Sequence, residues 1–432
     1  MGTKTQQLSN LQLRKLSNQI IDWQAVITGA GSSSTAVSGQ GYFINTTSAV
    51  HTLNLPASPV IGDTITIVDY ASTFASNNVT LNPNGNKIEA GTANGVLSTN
   101  DQTHTLIFTD STQGWKIVNQ DTAASVQPSF VTATGGTVTT SGDYKIHTFT
   151  GDADFIVSSI GNPLGGPNTS DYVVVAGGGG GGGRHGGGGG AGGFRESKCN
   201  TGTWTASPLA TPTGIALTAQ TYPVTVGGGG TGGNRTPSSA GTNGSNSVFS
   251  TITSTGGGRG HTYQSSTGQA GGSGGGGGHT ACSGIPGGSG NTPPTSPPQG
   301  NNGGNGFCGG TYDYQGGGGG GATVAGGTAP SIGGGDGGAG ATSSINGTPT
   351  ARAGGGGGGT YADSPGGPGS GGSGGGAGGG GPNASPTAAT AGTTNTGGGG
   401  GGYGGTNPGN PSPRCQGATG GSGIVIIRYK FQ

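Results

Sequence analysis

The sequence predicts mainly β modules at the N-terminal end, followed by a glycine-rich bundle of polyglycine II helices. Almost no α-helix is expected apart from a short N-terminal segment. Three observations carry this expectation. The chain holds 110 glycines in 432 residues, yet residues 1–170 contain only 17 of them and residues 171–432 the other 93. Alternating polar and apolar runs, broken by turn residues, fill the first part. Two apolar runs then bracket the glycine-rich part, one at each end.

Residues 5–22 form the short segment. Leu8, Leu11, Leu16 and Ile20 recur at spacings of roughly three and four, which fits an amphipathic helix. Such a helix is too short to be stable alone. Residues 1–22 are therefore expected to attach or oligomerise the chain, and a homotrimer through residues 1–170 is the expected assembly. No apolar h-region follows Met1, so no Sec-type signal is expected, and Gln6 stands where myristoylation needs Ser or Thr.

Residues 23–121 read as an all-β module. The stretches 64–68, 103–108 and 115–118 alternate polar and apolar residues, and the clusters at 82–86 and 110–114 are turns. Trp115 is expected in its core. Residues 122–176 add a second β segment with strands at 137–140, 144–149 and 155–157. It ends in Asp171-Tyr172-Val173-Val174-Val175-Ala176, an apolar run fit for a buried strand. Residues 423–431 close the chain with Ile424-Val425-Ile426-Ile427-Arg428-Tyr429. Glycine follows the first of these strands and precedes the last. If both lie in one sheet with the glycine block on one side, they must run antiparallel, and a disordered tail has no reason to end in such a strand.

Residues 177–422 lie between them. Glycine runs at 186–190, 227–230, 274–278, 316–321, 354–359, 378–381 and 397–402 are separated by polar inserts. They come in blocks rather than at every third position, which excludes collagen. Without Cβ atoms, glycine backbones in a three-residue-per-turn helix come close enough to hydrogen-bond to one another. Any side chain facing a neighbour would prop them apart. Ordering glycine costs about 1–2 kcal/mol per residue, so only a bundle of many such helices, closed at its base by strands, can offset it.

Composition excludes several function classes. No run of about 20 apolar residues exists, so no membrane insertion is expected. Fifteen basic residues balance fifteen acidic ones, which argues against a nucleic-acid binder. Only Asp171, Glu196, Asp313, Asp336 and Asp363 supply acid in the glycine-rich part, too few for calcium cages. Cys199, Cys282, Cys308 and Cys415 form no CxxC pair, so no zinc site is expected. Four free thiols and one or two bridges both remain open. No catalytic spacing stands out, and neither an enzyme nor a cofactor is expected.

The residues just quoted carry a resemblance. The run 171–176 with the polyglycine after it, the step Gly190-Ala191-Gly192-Gly193-Phe194-Arg195, the stretch Tyr222-Pro223-Val224-Thr225-Val226-Gly227 and the closing strand resemble glycine-rich tail-fibre proteins of bacteriophages. The stretch from Gly41-Tyr42-Phe43 to Gly114-Trp115 resembles a β module of phage fibres. The glycine architecture is also similar to distal adhesins of T-even-like phages, whose end loops bind host receptors. This implies a virion fibre or fibre-tip protein, made in the host cytoplasm, that adheres to a bacterial surface. Its implied partners are a host surface polysaccharide or outer-membrane protein and other virion tail proteins. A purely structural virion fibre is the alternative.

The inserts then become the candidate recognition loops, because Tyr, Trp and Arg on short glycine loops give contact area at little ordering cost. The candidates are Arg259, His261, Tyr263, Tyr312, Asp313, Tyr314, Tyr361 and Asp363. Arg184-His185, Phe194-Arg195, Trp204, Tyr403 and Arg414 are further inserts of this kind. The bland alternative is that these rings merely pack over the edges of the bundle.

Overall fold

A computed structural model describes residues 21–28, 32–118, 128–200, 202–234, 240–263, 268–280, 283–310, 313–361, 366–381, 387–405 and 416–432. The helix expected over residues 5–22 lies, but for its last two residues, outside this set. Among the described residues there is no α-helix, and the secondary structure is all β. The chain divides into two compact units. Residues 1–130 with 161–167 make the first, and residues 131–160 with 168–432 the second.

In the first unit the chain winds back and forth between two sheets. Asp22–Trp23 and Ile27–Thr28 pair in parallel with Gln40–Asn45, which pairs in parallel with Thr64–Asp69. Ser33–Thr35, His51–Asn54 and Val79–Asn82 form a second parallel ladder. Each crossover between parallel neighbours is a strand of the other sheet. Antiparallel strands finish both sheets: Gly95–Leu97 on one, Thr103–Asp110 and Gly114–Ile117 on the other. Alternate residues point inward, so Ile44, Leu53, Ile65, Ile67 and Leu81 share one core with the fully buried Trp115. Asn82 Nδ2 donates to Asn54 Oδ1 at 2.8 Å, joining side chains stacked in register along the ladder.

In the second unit, Thr169–Val175 and Ile424–Lys430 are antiparallel partners, from Val175 opposite Ile424 to Ser170 opposite Tyr429. Tyr144–Phe149 flanks the closing strand on its other side. Both faces of this seven-stranded sheet are covered, which is why its central strands are apolar without alternation. Val174, Val425 and Ile427 meet the five-stranded sheet through Phe155, Tyr222 and Phe249. Val173, Val175, Ile424 and Ile426 face Ala191, Ala322 and Ala353 of the glycine region.

The glycine region pairs with a period of three. Gly177 and Gly180 donate to Ser245 and Thr242, Gly178 and Gly181 to Gly421 and Ala418, and Gly179 and Gly182 to Gly190 and Gly187. The carbonyls of the same run accept from three further segments: Gly257 and Gly260, Gly230 and Gly233, and Gly400 and Tyr403. One backbone thus has six neighbours, and each residue serves two of them. The run 186–193 repeats the pattern. A Cβ on Gly188 would fall on the carbonyl of Gly356, so glycine is required by close approach and not by unusual φ. One hydrogen bond per residue contributes about 0.5–1.5 kcal/mol net, which is of the order of the ordering cost. The region therefore depends on its apolar base.

Candidate functional site

The glycine runs have a polarity that their flanking residues set. At the sheet end stand Ala176, Ala191, Ala322 and Ala353, all buried against the apolar core there. At the opposite end the runs finish in Arg184-His185, His261, His279, Gln315, Thr360-Tyr361 and Tyr403. Hydrogen bonds tie these distal ends together at one level. Gly316 donates to Gly359, Gly359 to Gly186, Gly186 to Tyr403, and Tyr403 to Gly182. Arg184 and His185 both take positive φ, 43° and 57°, and this reverses the chain after Gly183.

The reversal carries His185 into the centre of a ring cluster. His185 Nδ1 and His279 Nε2 are 2.8 Å apart, sharing one proton. Tyr314 stacks on His279 with centroids 3.9 Å apart and planes 3° apart. Tyr361 meets His185 at 4.9 Å and Tyr314 edge-on at 5.3 Å. Tyr263 approaches His279 at 5.4 Å and carries the Arg184 guanidinium 4.2 Å above its ring. The imidazoles of His185, His261 and His279 are buried, whereas Tyr263, Tyr314 and Tyr361 are half-exposed. Burial pushes His279 down to about 4, and the neighbouring His261 and Arg184 push in the same direction. His279 is thus held neutral, and the cluster presents phenol edges and one guanidinium outward.

Four of the eight sequence candidates gather here: His261, Tyr263, Tyr314 and Tyr361. Asp313 is close by in the hairpin of Phe307–Gly310 with Asp313–Gln315, where its Oδ1 accepts from Gln315 Nε2 at 3.2 Å. Arg259 stands apart; its amide donates to Asn243 and its carbonyl accepts from Gln269. Tyr312 and Asp363 lie outside the described residues. The candidate set omitted His185 and His279, the pair at the centre. Their signal was position, since each ends a glycine run at the end opposite the alanines.

The site offers hydroxyls, an imidazole pair and flat faces, a combination suited to polar ligands with ring or CH surfaces. Among the described residues no group of three His, Cys, Asp or Glu side chains is placed to hold a metal ion. Cys199 is a half-buried free thiol, pushed up to about 11 by burial and by Asp171. Cys308 sits opposite Tyr314 in its hairpin, while Cys282 and Cys415 lie outside the described residues.

A β scaffold that carries a block of paired glycine backbones, with aromatic turns at the far end, defines a glycine-rich β protein. Residues 160–430, more than half of the chain, match the family model described as a glycine-rich domain, and the protein belongs to that family. No match is found among curated proteins.

Proposed function

We propose that the protein is a virion tail-fibre or fibre-tip adhesin, which holds a bacterial surface through the distal turns of a polyglycine II bundle. Pairing with a period of three, and six neighbours around the central run 177–183, support the polyglycine II reading. The adhesion reading rests on one observation above the others. Tyr263, Tyr314, Tyr361 and Arg184 converge at the end opposite the strand base, where the glycine runs turn. A block of glycine has almost no side chains on its flanks, so its chemical identity is concentrated at its turns. Half-exposed tyrosines locked against a buried histidine pair lose little entropy on binding, as hot-spot residues do.

The partner class is a host surface polysaccharide or outer-membrane protein, engaged without catalysis. Residues 1–170 join other virion tail proteins and form a homotrimer, which multiplies weak contacts. Soluble protein would then bind the surface of a susceptible strain within a bacterial panel and block phage adsorption to it. Replacing Arg184, Tyr263, Tyr314 and Tyr361 together by alanine should abolish both effects and leave the fold intact. Normal binding by a folded quadruple variant moves recognition elsewhere. Failure of the parent protein to bind any strain favours a purely structural fibre.

A further inference from the structure

A cavity of about 300 Å³ opens on the sheet side of the glycine region, away from the distal turns. Its floor is made by Trp204, Ser344 and Arg428, all at least nine-tenths buried. Ser141 forms a wall, and Thr203, Gly347 and Pro349 form an exposed rim. Four separate parts of the chain build it: the end of strand Thr137–Ser141, the loop after Phe194–Ser197, the turn after Ala341–Ser343, and the closing strand.

The floor is rich in unmet donors. The Arg428 guanidinium lies 4.5 Å above the Tyr144 ring, and its Nη1 donates to the Ile345 carbonyl at 3.1 Å. Its Nε has no acceptor among the described residues, and neither does Trp204 Nε1. Buried donors are normally matched, and these two unmatched ones belong to residues that line one cavity. Outside the lining, Lys198 Nζ donates to the Trp204 carbonyl at 2.5 Å and lies 5.4 Å from the Trp204 ring centroid. Two acids lie behind the floor. Asp171 is opposite Arg428 in register and acts on its charge; its Oδ1 accepts from the Cys199 amide at 2.6 Å, and its Oδ2 has no partner among the described residues. Glu196 is engaged by Ser207 and Arg352.

We propose that this cavity binds one anionic sugar unit, a hexuronic acid residue. Arg428 and Trp204 would take its carboxylate, and Ser141 and Thr203 its ring hydroxyls; Ser344 Oγ is held by Thr205, accepting from its amide at 2.7 Å and donating to its carbonyl at 3.2 Å. Guanidinium–carboxylate pairing is the strong, directional contact, and it gives the site its preference for an acid. The volume lies at the small end of ligand sites, about one monosaccharide. The Ser141 and Thr203 hydroxyls suit a ligand that carries hydroxyls as well as a charge. This site is separate from the distal turns and stands whether or not those turns bind a host.

Calorimetric titration of the full chain with glucuronate tests it, with glucose and acetate as comparators. Saturable binding of glucuronate, at least about tenfold tighter than either comparator, is expected, and Arg428→Gln should weaken it at least about tenfold. Because Arg428 lies in a central strand, a second variant is needed. Ser141→Leu fills the mouth from its wall and should remove binding while the thermal midpoint holds. The distal variant lacking Tyr263, Tyr314 and Tyr361 should bind glucuronate normally. The proposal is overturned by absence of saturable binding, by equal affinity for acetate or glucose, by unchanged binding in folded Ser141→Leu, or by loss of binding in the distal variant.

Discussion

His279 lies flat on Tyr314 while its Nε2 faces Nδ1 of His185, so one imidazole is fixed by a stack on its face and a hydrogen bond at its edge. Burial, with the nearby His261 and Arg184, holds it at about 4, below the ordinary histidine value of 6.5.

Acidification should therefore loosen the distal turns. The unfolded chain takes up a proton on this residue near pH 6.5 and the folded chain only near 4. Stability is complete above the first value and declines as pH falls through that window. His147 and His51, also lowered by burial, act in the same direction in their own cores. His279→Phe keeps the stack and cannot titrate. It should cost about 1 kcal/mol at neutral pH for the lost hydrogen bond and flatten the acid limb of amide exchange in the turns.

Glycine replacements should divide sharply by location. A Cβ on Gly318 would fall on the Asp336 carbonyl, whereas one on Gly228 would meet nothing within 4 Å. Gly318→Ala should cost about 3 kcal/mol or more, and Gly318→Val more still. Gly228→Ala should be neutral or stabilise by up to about 1 kcal/mol through the unfolded chain. Denaturation midpoints of the two alanine variants decide this; equal midpoints would refute backbone contact as the reason for glycine.

Glu196 and Arg352 are both buried, and the charge of each favours ionisation of the other against the cost of burial. Removing one partner leaves a buried group without its counter-charge. Arg352→Met alone should cost about 3–5 kcal/mol, and the double variant with Glu196→Met less than the sum of the singles. A double-mutant cycle measures the coupling, and simple additivity would show that the two charges act independently.

Val425→Asp places a charge at a fully buried position in the closing strand, between two antiparallel neighbours. Because the glycine region closes on this sheet, the damage should spread. Amide protection ought to fall together across the runs at 177–183, 186–190 and 397–402, with a cost above about 4 kcal/mol. Selective loss in the sheet, with the glycine runs still protected, would show that the runs hold themselves together.

Much of the architecture was readable in advance. Trp115 was expected in a core because it stands in an alternating run, and its burial is complete. The bracketing strands were readable because glycine lies after one and before the other, which fits the antiparallel register of Val175 with Ile424. The aromatic inserts announced themselves against a background without side chains. His279 did not, nor did its pairing with His185, since a single imidazole beside a glycine run says nothing about its partner 94 residues away.

The sequence by itself determined that this chain is mainly β and that its glycines form one bounded region. Tertiary structure alone decided the parallel winding of the first unit, the six neighbours of the central glycine run 177–183, and the meeting of Arg184, Tyr263, Tyr314 and Tyr361 around two histidines. It also brought Trp204, Ser344 and Arg428 to one cavity. The reason is physical. Side-chain patterns record which face of a strand is buried, because burial acts on side chains. Glycine pairing acts through identical backbones, so one run is indistinguishable from the next until Ala191, Ala322 and Ala353 dock on the sheet and fix the direction of the runs they end.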